Sequence, residues 1–478
     1  MVSPDSASIA ADVADLRRLF DAQRSAAAQA RNPGHDVRAR QLSALERLVH
    51  DNVDDIAAAI SADFGWRSAH ETRLLEIFPS LEAIRHARRH LKRWMRPERR
   101  PVSLWFQPGR AEVIPQPLGV VGVIVPWNYP VYLAVGPLVG ALAAGNRAMV
   151  KMSELTPATA ALFARLVAQY FAPEELTVVT GEASVAQAFA RLPFDHLLFT
   201  GSTKVGHSVM AAAAENLTPV TLELGGKSPA IIGPGCPIAG AAERIVVGKC
   251  MNAGQTCIAP DYVLVPAGKE LEFVAAARAV VARCYPDMEH TADYSTIINP
   301  RHFARLIGCL DDARAKGAEL VSLAPAPAGP DAQARRLPPT VVLKVSDTML
   351  VMQEEIFGPL LPVVPYRDLS AAIAYVNARS KPLALYYFDH DSANIRRVLS
   401  ETVSGGVTVN DTILHIAQDD LPFGGVGTSG MGHYHGREGF DTFTKRKAVF
   451  HQARINGMGL FMPPYGRLFD RLVRILLR

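Results

Sequence analysis

"HLLFTGSTKVGHSVM", residues 196–210, decides the fold. An apolar run reaches Thr200 and stops at a glycine, and the chain then takes up helical spacing. That is a buried strand, a tight turn and the start of a helix. Gly201 and Gly206 bracket the turn. Such a turn aims backbone N–H groups and the positive end of the helix at a phosphate. The spacing is not GxGxxG, so the usual dinucleotide fingerprint is absent. A glycine in such a turn is also a common structural device, and these residues alone leave both readings open.

Moving outward, the same texture repeats. "GVVGVIVPW", "RAMVKM" and "LTVVT" precede the stretch and "PVTLELG" follows it, all short and apolar. Between them lie helical segments such as "PATAALFARLVAQYF", with Thr156 placed as N-cap and Pro157 at the first helical position. Strand and helix alternating over this length predict an α/β, doubly wound parallel sheet. Residues 9 to about 98 read as helices, with Leu16, Leu19, Phe20 and Gln23, then Leu42, Leu45, Leu48 and Val49, at helical spacing. A second α/β series runs from "SPAII" through "YVLVP" and "TVVLKV" to "SGGVTVN". The Pro- and Ala-rich segment 323–338 reads as a surface loop.

At 478 residues the chain is too long for one core, which predicts two or three domains. Its 50 basic and 46 acidic residues give a net charge of +4, which does not argue for nucleic acid. The basic stretch 85–100 lacks interleaved aromatics and reads as the solvated end of a helix. The first twenty residues carry acids before any base and no apolar segment, unlike a signal peptide. No apolar run of about 18 residues predicts a membrane span. Five cysteines without CxxC spacing argue against a disulfide framework or a zinc site, and a reducing cytoplasm is the expected setting.

Three residues stand out chemically. Cys257 lies in "MNAGQTCIAP", where Gly254, Gln255 and Thr256 read as an exposed loop. It is either a nucleophile or a small buried apolar side chain. Glu223 ends the apolar strand "TLELGGK" and is either a functional base or half of a structural ion pair. Asn128 sits between Trp127 and Tyr129, flanked by Pro126 and Pro130. Its amide either donates to an oxyanion or closes an Asx turn. His433 and His435 have no third ligand in view, so no metal is expected, and "GVGTSGMG" fails GxSxG because Met431 replaces the last glycine.

Taken together, "PWNYP", "VKMSELTP", "FTGSTKVG", "TLELGGKSP", "NAGQTCIAPDYVLV", "EEIFGPLLP" and "LPFGGVGTSGMGHYHGREGFDTFTKRK" resemble the aldehyde dehydrogenase superfamily, in its order and over nearly the whole chain. "ELGGKSP" with "GQTCIAPDY", and the "YHG…FDTF" close, resemble its class 3 branch. "NDTILHIAQDDLPFGGVG" looks most like the bacterial coniferyl-aldehyde group. The resemblance implies oxidation of an aldehyde to its acid through a cysteine thiohemiacetal and a thioester. Aromatic aldehydes of the coniferyl type are the first expectation, and medium- or long-chain fatty aldehydes the second. It implies Cys257 as nucleophile, Glu223 as general base and Asn128 as oxyanion donor. Lys151 and Glu154 would bind the adenosine ribose of NAD, with NADP also accepted. Trp127, Gly201 and Ser202, with Gly206 in the same turn, would hold the pyrophosphate. Glu355 would take the nicotinamide ribose, with Phe357 beside the ring. The implied fold has a Rossmann-type cofactor domain (1–98 and 118–224) and a catalytic domain (225–412). A bridging and oligomerisation element (99–117 and 440–453) would join a homodimer, and 454–478 form a tail. A cysteine hydrolase and a non-enzymatic binding protein are the alternatives from other classes.

In the tail, Arg467, Arg471, Arg474 and Arg478 form one helical stripe and apolar residues fill the rest of the circumference. The expectation is that this helix packs near the substrate entrance of the dimer. A weak contact with a membrane surface is the alternative.

Overall fold

The computed structural model describes residues 6–325 and 329–477; the expectations for residues 1–5, 326–328 and Arg478 lie outside them. The first layer is helical: Ser6–Gln29, His35–His50, Val53–Phe64 and Phe78–Trp94, the last entered through a π-helical turn at Arg73–Ile77. The stripe read from the sequence is the buried one, with Leu42, Leu45, Leu48 and Val49 inaccessible to solvent. Of these, His35–His50 and Phe78–Trp94 pack against the helix Tyr132–Ala144, every residue of which is buried. Gly140 lets the helix Gly436–Thr442 approach closely, since a Cβ there would lie 2.9 Å from the Gly439 backbone. The C-terminal "YHG" segment is thereby drawn onto the core.

The decisive stretch is a strand, His196–Thr200, followed by the helix Thr203–Ala214. It belongs to a six-stranded sheet. Val120–Ile124 and His196–Thr200 are its central neighbours. Arg147–Lys151 and then Leu176–Val179 extend it on one side, and Val220–Glu223 on the other, all parallel. Gly430–Met431, from a segment assigned to no domain, closes that second edge antiparallel to Val220–Glu223. The direction of strand addition reverses between Val120–Ile124 and His196–Thr200. In doubly wound sheets ligands bind in the crevice at this reversal, beyond the carboxyl ends of the strands.

A seven-stranded sheet follows, ordered Glu319–Ser322, Thr340–Leu343, Leu360–Tyr366, Tyr262–Pro266, Pro229–Ile232, Ala384–Phe388 and Gly406–Val409. Only its first pair is antiparallel. Leu360–Tyr366 is hard to foresee because Pro362 and Pro365 interrupt it, and proline is normally excluded from central strands. Ala384–Phe388 carries Tyr386 and Tyr387, both fully buried; their hydroxyls donate to the Ile258 carbonyl and to Asp389. Glu98–Arg100, Arg110–Pro117 and Thr444–His451 form a separate three-stranded antiparallel sheet.

One local expectation needs correction, while the loop read over 323–338 is present and exposed at 329–334. Thr156 occupies the N-cap position, but its side chain caps nothing. Asp63, from a neighbouring helix, accepts from Ala158 N (2.8 Å), Thr159 N (2.8 Å) and the Thr159 hydroxyl (2.7 Å) instead. A carboxylate satisfies more of the orphan N–H groups at a helix start than a hydroxyl. In the stretch read as a loop, Leu323 and Leu337 are buried, and Arg335 is tied to the Ile297 carbonyl at 2.9 Å.

The tail helix is present as Arg467–Leu476. It buries none of its residues and rests on the turn Met458–Phe461 through Phe461 and Phe469. Among the described residues no helix is long and apolar enough to cross a membrane, and no cluster of three or more His, Cys, Asp or Glu is placed to hold a metal ion.

Candidate active site

Three segments meet where the two large sheets face each other. Glu223 sits at the carboxyl end of its strand in the six-stranded sheet. Cys257 lies on the loop that enters Tyr262–Pro266, and Glu355 and Phe357 on the turn that enters Leu360–Tyr366. The nucleophile candidate therefore comes from the amino end of its own sheet and faces the carboxyl ends of the other.

The loop before Cys257 is buried, which corrects the expectation of an exposed one. Gln255 is inaccessible and Thr256 nearly so. A buried polar loop survives only if its groups are bonded. Gln255 Nε2 donates to the Asn252 carbonyl (3.0 Å) and the Thr296 carbonyl (2.9 Å), and Oε1 accepts from Ile298 N (2.9 Å). The Thr256 and Tyr129 hydroxyls bond at 2.6 Å. Asn252, Ala253 and Gly254 are consecutively left-handed, with φ of 52°, 51° and 74°. Non-glycine residues in that region cost about 1–3 kcal/mol each. The turn persists because Asn252 N donates to the Glu71 carboxylate at 3.1 Å and Asn252 Nδ2 donates to the Asn128 carbonyl at 3.1 Å.

Asn128 is buried, and its Nδ2 donates to the Gln255 carbonyl at 3.2 Å, which ties its loop to the cysteine loop. From behind, a buried ion pair braces it. Arg67 Nη1 reaches Glu76 Oε1 (2.8 Å) and the Asn128 carbonyl (2.9 Å), while Glu76 Oε2 accepts from Val131 N (2.8 Å) and Tyr132 N (3.1 Å). Sequence reasoning missed Arg67, Glu71 and Glu76. The spacing of four between Arg67 and Glu71 is a signal, but it equally describes a solvated pair.

Both carboxylate oxygens of Glu223 are buried and have no hydrogen-bond partner among the described residues. Burial raises its pKa well above the usual value. Cys257 is pushed up to about 12, first by burial and then by the charges of Glu355 and Glu223. Glu355 is raised to about 8, by burial and then by Asp261, and its Oε1 is buried without a partner. Burial keeps both acids above the usual carboxylate range and the Cys257 thiol above its ordinary value. The resting cysteine is a thiol.

Two cavities share Cys257 on their walls. One, of about 210 Å3, is lined by Trp127, Asn128, Gly201, Ser202, Glu223, Glu355 and Phe357 together with the cysteine. Most of the expected site residues therefore share one cavity. His302 and Arg305 also line it; burial, then the charges of Arg305 and Arg301, lower His302 to about 4, so its ring is neutral beside Trp127, at 5.1 Å. This cavity lies at the strand-order reversal. Ser202 is the N-cap of Thr203–Ala214, accepting from Val205 N at 3.4 Å. Gly225 lets the Glu355 carboxylate lie against the backbone, where a Cβ would collide with it. The unpartnered Glu355 oxygen wants a hydroxyl donor, as a ribose would provide, so these residues fit the nicotinamide end of a dinucleotide. Lys151, Glu154 and Gly206 do not line this cavity. Lys151 is buried and donates to the Met152 carbonyl at 2.7 Å; Glu154 is exposed one turn beyond. Gly206 packs under Leu224, where a Cβ would sit at 2.8 Å, so it serves close helix packing.

The other cavity, of about 390 Å3, is mainly apolar. Its inner wall by Cys257 holds the buried Tyr129, Tyr132 and Ile258, and its outer wall the exposed Leu74, Phe78 and Leu414. None of these lining residues is picked out by sequence patterning.

A model of the aldehyde dehydrogenase family matches residues 6–449. A probable coniferyl aldehyde dehydrogenase of Pseudomonas aeruginosa is 57% identical over 462 residues, covering 97% of this chain and 96% of that one. Among solved structures, the substrate-bound state of Staphylococcus aureus AldH has a TM-score of 0.91 at 37% identity, covering 97% of this chain and 99% of that one. A mutant AldC of Pseudomonas syringae, complexed with NAD+ and octanal, has a TM-score of 0.82 at 30% identity, covering 93% and 90%.

Proposed function

The chain belongs to the aldehyde dehydrogenase family, and from that premise we propose that it oxidises aromatic aldehydes of the coniferyl type to their acids, with NAD preferred over NADP. The observation that carries this reading is that Cys257 alone of the candidate catalytic residues lies on both cavities, the one with Glu223 and Glu355 that fits a nicotinamide riboside and the larger apolar one. The name borne by the Pseudomonas aeruginosa relative supports the substrate class. A cysteine hydrolase or a binding protein leaves the unpartnered Glu355 oxygen unexplained.

An aldehyde has no leaving group but hydride, so the carbonyl must first become tetrahedral. The Cys257 thiol gives up its proton to water, a step the positive charge of a bound NAD would favour, and the sulfur adds to the carbonyl carbon. Asn128 Nδ2 and the Cys257 N–H are the donors for the oxyanion that forms; removing one such donor typically costs ~10²–10³ in rate. When bound beside Cys257, NAD would supply the hydride acceptor and a positive charge near Glu223 and Glu355. Collapse of the oxyanion leaves a thioester on Cys257. Glu223, once ionised, removes a proton from water, the hydroxide adds to the thioester, and the acid departs as the released thiolate takes that proton back from Glu223. Glu154, exposed after "KMS", disfavours a 2′-phosphate by charge repulsion, which underlies the NAD preference.

The six-stranded sheet with the helical layer forms the cofactor domain and the seven-stranded sheet the catalytic one. The three-stranded sheet, with its free edge at Thr444–His451, joins two subunits. A reducing cytoplasm is the proposed setting, supported by five free cysteines. A second reading, oxidation of medium- or long-chain aldehydes, is favoured by the exposed apolar side chains at the outer end of the 390 Å3 cavity. The test is kcat/KM with NAD over coniferyl aldehyde, benzaldehyde, octanal and acetaldehyde. The proposal expects coniferyl aldehyde to lead; octanal in the lead favours the second reading, and acetaldehyde in the lead overturns both.

A further inference from the structure

The apolar cavity carries three charged side chains on its wall that the reaction does not use, Glu243, Arg244 and Asp411. Arg244 and Asp411 both line it, and their nearest charged atoms, Arg244 Nη1 and Asp411 Oδ2, stand 3.7 Å apart. That is a loose pair: within ion-pair range, yet beyond a good hydrogen bond. Asp411 Oδ1 is already committed to Thr412 N at 2.8 Å. Arg244 donates no side-chain hydrogen bond among the described residues, whereas its neighbour Glu243 is held by Arg283 at 2.7 Å. Capacity to bond is therefore left on both Arg244 and Asp411.

Exposure gives the pair its place. The Arg244 side chain is 59% exposed and that of Asp411 26%, while Tyr129 and Tyr132, on the same cavity as Cys257, are buried. The pair thus sits at the outer end and the sulfur at the inner one. The segment that presents Asp411 is strained on both sides. Asn410 has φ of 60° and Ile413 φ of 67°. Asparagine tolerates that region, but for a β-branched residue it is a true outlier. Thr412 fastens the segment to the helix beneath by donating its hydroxyl to the Arg244 carbonyl at 3.1 Å. Strain held at a cavity wall is an observation that asks for a function.

We propose that Arg244 and Asp411 recognise the ring hydroxyl of a hydroxylated cinnamaldehyde whose aldehyde lies at Cys257, and so discriminate it from the unsubstituted ring. A phenol is both donor and acceptor, and it fits between a guanidinium with free N–H groups and a carboxylate with a free oxygen. An alkyl chain or a bare phenyl ring leaves the pair to water. Because the pair is partly solvated, discrimination is modest, about 10-fold, far below what a fully buried hydrogen-bonding site achieves.

This inference rests on the aromatic-aldehyde reading, and one experiment separates the two. Wild type, Arg244→Met and Asp411→Asn are compared with NAD on coniferyl aldehyde, cinnamaldehyde and octanal. In wild type kcat/KM for coniferyl aldehyde exceeds that for cinnamaldehyde by about 10-fold. In each variant that ratio falls toward one through a raised KM for coniferyl aldehyde, while kcat for cinnamaldehyde, which reports an intact fold, is retained. Equal use of the two aromatic aldehydes by wild type, or a ratio unmoved in both variants, overturns the inference and leaves the aromatic reading standing. Turnover of octanal with neither aromatic aldehyde oxidised overturns both.

Discussion

Glu223 is the residue whose environment is most at odds with its chemistry. Its carboxyl group is fully enclosed, bonded to nothing among the described residues, and its pKa is raised well above the value of 4.5 it has in an unfolded chain. Between 4.5 and the raised value, the native protein keeps a proton that the unfolded chain has lost. Stability therefore falls as pH rises through that window. Glu223→Gln removes this dependence. Its Tm relative to wild type should be about 1–3 °C higher at pH 8 than at pH 4, and thermal melts at the two pH values measure it. An unchanged difference would mean that Glu223 is already ionised in the native state. The same burial leaves aldehyde oxidation dependent on a base that must first lose its proton, so kcat should climb as pH rises above the usual carboxylate range.

At the scale of elements, the catalytic loops are shaped from outside. The helical layer supplies Arg67, Glu71 and Glu76, and these hold the Asn128 and Asn252 turns. Arg67 and Glu76 are both fully enclosed, and burial raises the Glu76 pKa against the pull of Arg67. Removing one member of a buried pair typically costs about 3–5 kcal/mol, because the other charge is stranded. Arg67→Met should lower the midpoint of urea unfolding and reduce kcat together, while Arg73→Met, on the exposed pair with Asp54, should change neither measurably. Loss of stability without loss of kcat would show that the brace does not position Asn128. This dependence marks the limit of what the chain discloses as text. The strand and turn at His196–Ser202 are legible because a continuous apolar run and a glycine encode them locally. Glu223 is legible because an acid ending an apolar strand is conspicuous. Neither the burial of "GQT" nor the role of Glu71 is local, since both depend on partners more than 40 residues away along the chain. The cavity lining beyond Cys257 is illegible for the same reason, as Leu74, Tyr129 and Ile258 come from separate segments and carry no periodic mark.

For the whole molecule, the tail is the part least accounted for by one chain. Arg467–Leu476 leaves Leu468 and Ile475 more than half exposed, and it lines neither cavity. In a homodimer we place this helix near the partner's substrate entrance. Deletion of 465–478 should then raise KM for bulky aldehydes several-fold more than for small ones, on a panel of chain lengths. Co-sedimentation with anionic vesicles that is lost on deletion, without a change in KM pattern, would assign the helix to a membrane surface instead. The central claim is narrower: aldehyde carbon becomes bonded to Cys257, and Glu223 releases it. Its most direct test is mass spectrometry of Glu223→Gln quenched after one turnover with NAD and coniferyl aldehyde. The account predicts one NADH per active site and an acyl adduct on the peptide carrying Cys257, absent from the Cys257→Ala variant. NADH formed with no adduct on that peptide, or an adduct that survives in Cys257→Ala, would contradict it.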